Sequence, residues 1–230
     1  MVAAMELISY YAAMVTSRRG AAALAGDHPD LTYELAHAEM DGDRLTDGEI
    51  IAFLFLMVVA GNETTTKLLG NALFHLAANP GAAAEVVADP ELVVPWIEET
   101  LRHDTSSQMI ARYVAQGFSL HGETVPEGAK VLLLLGSANR DEEVFERPDT
   151  FDLHREDDEF ARILSFGNGR HFCLGAHLAR LEARVVLRSL MERISDFTVR
   201  AEAAVRVHST SVRGFASLPV TFVPSGTGTA

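Results

Sequence analysis

FGNGRHFCLG, residues 166–175, contains the only cysteine of the chain, Cys173. Gly167 and Gly169 stand two apart and permit a tight backbone path that a residue with a Cβ would strain. Beyond the cysteine, Leu174, Leu178, Leu181, Val185 and Leu190 recur at helical spacing. They predict a helix over about 174–194 with these residues on its buried side. A thiol just before a helix meets the positive end of the dipole and unpaired backbone N–H groups, both of which favour the thiolate. The thiolate is the form that ligates metal, and nearby N–H donors tune the sulfur's electron donation. Three other readings stand beside this one. A lone cysteine is often a small buried hydrophobe, although that role needs neither the glycines nor Phe166. A zinc site of His171, Cys173 and His177 lacks a fourth ligand and the usual close cysteine pair. A Cys–His nucleophile is the third.

Outward from this turn, composition narrows the classes. The 230 residues fit one domain or a large piece of one. There are 19 basic and 32 acidic residues, a net charge of −13. That balance argues against nucleic acid as a partner, because such binding draws on clustered Lys and Arg. One cysteine allows no intrachain disulfide and suits a reducing, cytoplasmic location. The N-terminal MVAAMELISYYAAMVTSRRG has no basic segment ahead of its apolar residues, unlike a signal peptide. The most apolar run, IIAFLFLMVVA at 50–60, is too short to cross a bilayer, which takes about 20 residues. It reads as the buried stretch of a long helix, and no membrane anchor is expected in this chain.

Helices dominate the first half. Leu7, Tyr10, Tyr11, Met14 and Val15 mark one over 1–19, ended by Gly20. A short one is expected over Asp30 to Ala38. Thr46 and Glu49 form a capping box that opens a long helix to about Ala78. Asn79-Pro80 stops it and starts the next, and Asp89-Pro90-Glu91 repeats the device for a helix to about His103. After Ser106, MIARYVAQGFSL, HGETVP and KVLLLL carry strand patterns between Gly and Pro. A polar, loop-rich stretch leads to the cysteine turn. Short strands are expected from Asp196, and the tail 225–230 is expected to be disordered. The class is mainly α with a minor β part, in one domain over 1–224.

The cysteine segment resembles the haem-binding signature of the cytochrome P450 family. Phe166, Gly167, Gly169, His171, Cys173 and Gly175 match its six fixed positions in ten. The resemblance implies haem b (iron protoporphyrin IX) with Cys173 as the axial iron ligand, His171 on a propionate and Phe166 packed beside the sulfur. Histidine at position 171 is similar to the bacterial soluble branch. AGNETT, residues 60–65, resembles the family's oxygen-activation motif. A glycine within an apolar helix costs about 1 kcal/mol relative to alanine, so close approach of another group is expected at Gly61. Read alone, Glu63 and Thr64 fit equally well the start of a helix's polar face. The resemblance implies instead that Gly61 leaves room for dioxygen, that Thr64 hydrogen-bonds the oxygen being activated and that Glu63 relays protons. Two protons must reach the distal oxygen for water to leave.

Glu99 and Arg102, in ETLR, lie three apart on one helix face. They resemble the family's buried E-x-x-R pair, and Arg112 its strand arginine on a propionate. Asn139, Arg140, Asp141, Pro148 and Phe151 match the family's meander. There the chain departs from the pattern: Thr150 stands where the family often has an arginine that completes a triad with Glu99 and Arg102. The third position is open, with Arg155 as a candidate. The resemblance covers nearly the whole chain but implies a partial fold lacking the N-terminal half, with its small sheet and main substrate-recognition loops. It implies a monooxygenase inserting one atom of dioxygen into a small organic, hydrophobic substrate. Electrons would come from NAD(P)H through a ferredoxin-type carrier with its reductase. Arg170, Arg180 and Arg184 would either receive that acidic carrier or simply solvate a helix. The alternative is a truncated, inactive fragment that keeps the motifs. Val58, Val59, Ala60 and Thr105 to Ile110 are candidate pocket lining.

Overall fold

The computed structural model describes residues 2–20 and 30–225. They form two compact units that divide between Glu63 and Thr64. The first holds helix α1 (Val2–Gly20), helix α2 (Leu31–His37), the antiparallel pair β1 (Glu39–Met40) and β2 (Asp43–Arg44), and the start of helix α3 (Asp47–Ala78). Its core is Tyr11, Val15, Ala36, Ile50 and Leu54. Local chemistry sets the helix ends. Asp30 accepts the Tyr33 N–H at 2.8 Å and pairs with Arg18. The Thr46 N–H donates to Glu49 Oε2 at 2.8 Å, and the Glu49 N–H donates to Thr46 Oγ1 at 3.3 Å, which closes the expected capping box.

The second unit continues from α3 through helix α4 (Pro80–Ala88) and helix α5 (Val93–His103). Four antiparallel strand pairs follow. Strand β3 (Ile110–Tyr113) pairs with β6 (Lys130–Leu133), and β4 (Phe118–Leu120) with β5 (Glu123–Val125). Near the C-terminus β7 (Ile194–Val199) pairs with β10 (Val220–Pro224), and β8 (Val205–Arg206) with β9 (Phe215–Ser217). Short helices α6 (Leu135–Ala138) and α7 (Asp157–Phe160) interrupt the polar stretch, and α8 (Ala176–Arg193) follows the cysteine turn. The core joins Leu68, Ala72 and Leu76 of α3, Trp96, Ile97 and Leu101 of α5, and Ala183 and Leu187 of α8. Trp96 Nε1 donates to the Ala72 carbonyl at 3.0 Å, so the largest buried ring leaves no unpaired donor. The mainly α class with a minor β part is what forms.

Three expectations change. In the run 50–60 only Ile50 and Leu54 are buried, and Leu56 to Val59 are exposed. Unbroken hydrophobicity carries no phase, so it could not say which face is covered. In α8 the buried residues are Ala176, Ala183 and Leu187, whereas Leu174, Leu178, Leu181 and Val185 are exposed by half or more. Ala176, Ala183 and Leu187 lie on the side of α8 that packs on α5 and the core, and Leu178, Leu181 and Val185 lie on the open side. Finally, α3 as a whole is long and apolar enough to cross a membrane by length and composition, although the run 50–60 is not. Its C-terminal half nonetheless packs as a core helix, with Asn71 buried and Lys67 donating to the Phe215 carbonyl at 2.9 Å. Of the expected disordered tail, residues 226–230 lie outside the described residues, and the Ser225 N–H donates to the Arg193 carbonyl at 2.8 Å.

Candidate metal centre

The cysteine turn rests on a buried ionic frame. Glu99 and Arg102 are fully buried and meet side-on: Arg102 Nε donates to Glu99 Oε2 at 2.8 Å and Nη2 to Oε1 at 2.7 Å. The third position belongs to Arg155, whose Nε donates to Glu99 Oε2 at 3.0 Å. Two arginines against one carboxylate would leave a buried positive charge, which is costly. Glu159 lies 3.1 Å from Arg155 Nη1 and balances the count. The remaining guanidinium hydrogens go to carbonyls of Asn139, Glu146, Arg147, Pro148 and Thr150. Thr150 therefore contributes its backbone where the family often contributes an arginine side chain. Arg147 holds a left-handed φ of 47°, and its carbonyl accepts from Arg155.

Asn139 links this frame to the turn. It is fully buried, accepts the Leu164 N–H at 2.8 Å and donates to Ser165 Oγ at 2.8 Å. Ser165 Oγ in turn donates to the Leu101 carbonyl of α5 at 2.6 Å. Phe166 therefore starts from a fixed point. Gly167 and Gly169 take φ of +71° and +70°, the left-handed conformation that glycine adopts without strain. The chain doubles back so that the Cys173 N–H donates to the Phe166 carbonyl at 2.9 Å. The Phe166 ring packs against the core, stands edge-on to Phe172 and carries the Arg180 guanidinium 4.6 Å above its centre.

Cys173 is exposed, which removes the reading of a buried hydrophobe. A Cβ on Gly175 would lie 3.9 Å from the sulfur, so glycine keeps that side of the thiol open. His171 is exposed on the same turn. Arg112 lies on β3 opposite Val131, and among the described residues its guanidinium bonds only the neighbouring Ala111 carbonyl. Arg180 is not a free docking charge: it pairs with Glu98 at 2.6 and 2.9 Å, which leaves Arg170 and Arg184 exposed. Gly61 and Glu63 end the first unit and are exposed, and among the described residues nothing lies within 4 Å of a Cβ at Gly61. Thr64 is half-buried and opens the second unit.

One cluster escaped the sequence reading, because its members lie far apart in the chain. Asp104 is buried, with His75 Nε2 2.9 Å from Oδ2, Arg206 Nη1 3.2 Å from Oδ2 and Arg213 Nε bonded to Oδ1. Burial opposes its charge, but the bonds from His75 and Arg213 outweigh that and hold the carboxyl well below the usual carboxylate range. His103 is pushed down to about 4, first by burial and then by the charge of Arg140 beside it.

The donor set decides what metal this turn fits. Among the described residues no three His, Cys, Asp or Glu side chains gather as a metal-binding group. A lone exposed thiol can hold a metal only if the metal brings its other ligands. An iron porphyrin does so, with four nitrogens of its own. The residues present fit haem.

The family model described as cytochrome P450 matches residues 1–221. A Mycobacterium bovis protein named cytochrome P450 123 is 54% identical over 220 residues, 96% of this chain and 53% of that protein. A vitamin D(3) 25-hydroxylase of Pseudonocardia autotrophica is 39% identical over 203 residues, 84% of this chain and 48% of its own length. The solved structure of cytochrome P450 CYP109Q5 from Chondromyces apiculatus superposes with a TM-score of 0.89 at 38% identity, covering 97% of this chain and 56% of that one. The chain spans about half the length of the relatives it matches.

Proposed function

The chain belongs to the cytochrome P450 family, and from that premise we propose that it serves a haem-thiolate monooxygenase acting on a small, largely apolar organic substrate. The observation that carries this reading is the exposed thiol of Cys173 on a glycine turn anchored through Asn139 to the buried Glu99 frame. When bound, haem b would supply the redox iron at which dioxygen is split, one atom going to substrate and one leaving as water. Cys173 would be the iron's protein ligand, with Gly167, Gly169 and Gly175 shaping the turn around it. His171 and Arg112 would pair with the propionates, and Phe166 would support the loop from below. Two protons must be delivered for each water released. Thr64 would hold a proton at its hydroxyl and Glu63 would pass it from solvent, both at the point of α3 where Gly61 leaves space. Electrons from NAD(P)H would arrive through a ferredoxin-type carrier and its reductase, with Arg170 and Arg184 as exposed charges for an acidic surface.

A second reading is that this chain alone is an inactive piece. It is favoured by the half-length span and by the exposed face of Leu178, Leu181 and Val185 on α8. Expression of the 230-residue chain with haem precursor separates the two. The expected result is a thiolate-type, red-shifted Soret band in the reduced carbon-monoxide difference spectrum, lost in Cys173→Ala with unchanged circular dichroism. Soluble, folded protein that takes up no haem would sink the first reading for this chain. In a loaded enzyme, Thr64→Ala is expected to release more peroxide per electron pair.

A further inference from the structure

A cleft of about 350 Å³ opens in the second unit between the segment leading into β3 and the loop that joins β8 to β9. Its apolar wall includes Met109, Leu134 and Val212. Its polar wall includes Gln108, Thr210, Arg206 and Arg213, and none of its lining residues is acidic. In a chain of net charge −13 that is an unusual local balance. Both arginines are held in place. The Arg206 Cζ lies over the Phe215 ring, 3.8 Å from its centre, while its Nη1 bonds Asp104 and Asn71. Arg213 bonds Asp104 through Nε alone, and its side chain is about half exposed, at 51%. Among the described residues the two Nη groups of Arg213 have no partner. One carboxylate, Asp104, therefore serves two guanidiniums, and a positive charge is left facing the cleft. A guanidinium held by its Nε presents its Nη pair as a fork that matches a carboxylate. That one bond already restricts the Arg213 guanidinium, which reduces the conformational freedom lost when a ligand binds.

We propose that this cleft takes the carboxylate end of an otherwise apolar substrate, with the Nη groups of Arg213 donating to it and Arg206 adding charge behind. The proposal rests on the monooxygenase reading and names its substrate class. It is tested by ligand-observed NMR titration of the 230-residue chain with dodecanoate and with dodecanol, which has the same apolar length and no charge. Dodecanoate should bind about tenfold more tightly, the least that a charge-assisted hydrogen bond is expected to contribute. Arg213→Gln should erase the preference and leave dodecanol binding in place. Thr210→Glu sets a carboxylate on the cleft wall without touching Asp104 and should do the same, so a folding defect in the first variant leaves the test standing. Equal affinity for the two ligands, or a preference that survives in both variants, would overturn the proposal. Repetition after haem loading separates the two readings. A preference lost on loading assigns the arginines to the haem's own propionates and overturns the carboxylate subsite alone. A preference kept in protein that takes up no haem supports the subsite and overturns the haem reading for this chain.

Discussion

The frame around Glu99 and the turn around Cys173 lie in the same unit and treat polar groups in opposite ways. In the frame, Glu99, Arg102 and Arg155 are closed off from water, and their charges end on carboxylates or carbonyls of this chain. In the turn Cys173 and His171 are exposed, as is Arg112 of β3, whose guanidinium among the described residues bonds only the Ala111 carbonyl. Buried polar groups must be satisfied internally because an unmade bond there costs the full desolvation of the group. Exposed groups meet no such demand and are free to meet a ligand. The contrast separates residues that hold the site from residues that use it.

The strongest way to break this contrast is to remove the centre of the frame. Glu99→Ala leaves two buried guanidiniums short of their shared carboxylate and should cost about 3–5 kcal/mol, read as a fall in the urea midpoint or as insoluble protein. A loss below about 1 kcal/mol would mean that the frame is not a structural unit. The turn should respond to backbone rather than to charge. A Cβ at Gly169 meets nothing within 4 Å, so Gly169→Ala isolates the cost of a positive φ, about 1–2 kcal/mol. Wild-type stability in that variant would show that the loop relaxes without penalty.

A smaller effect sharpens the border of the frame. His103 sits beside Arg140, with its proton affinity lowered to about 4 by burial and that charge. Below its ordinary value of 6.5 the unfolded chain binds a proton that the folded chain refuses. The contribution of His103 to stability should therefore fall as pH drops from 6.5 to about 4 and level off below that. In His103→Gln the decline of the urea midpoint across this window should be shallower than in wild type. Parallel declines would remove His103 from the account. The smallest effect is expected from Thr150→Arg, which restores the family's common residue at an exposed position. Because Arg155 already fills the third place on Glu99, stability should change by less than about 0.5 kcal/mol. A clear gain would show that Arg155 is a poor substitute.

Much of this was legible in the chain itself, wherever the physics is local. The capping box of Thr46 and Glu49, the Asn79-Pro80 break and the glycines around Cys173 act within a few residues, so their spacing carries their meaning. The same holds for Glu99 and Arg102, three apart on one helix face and paired in the fold. The buried side of α8 was misread because amphipathic spacing shows that a helix has two faces, not which face the partner covers. The face of Leu178, Leu181 and Val185 lies open, and that of Ala176, Ala183 and Leu187 packs.

What the tertiary structure alone decided is the company each charge keeps. Arg155 on Glu99, Arg180 on Glu98 and Asp104 between Arg206 and Arg213 join residues up to 109 positions apart, and no local pattern encodes such pairs. The sequence by itself determined that Cys173 stands on a turn suited to a haem iron. Only the fold decided that its thiol is left exposed while the charges behind it are closed, because burial and pairing are properties of the packed chain.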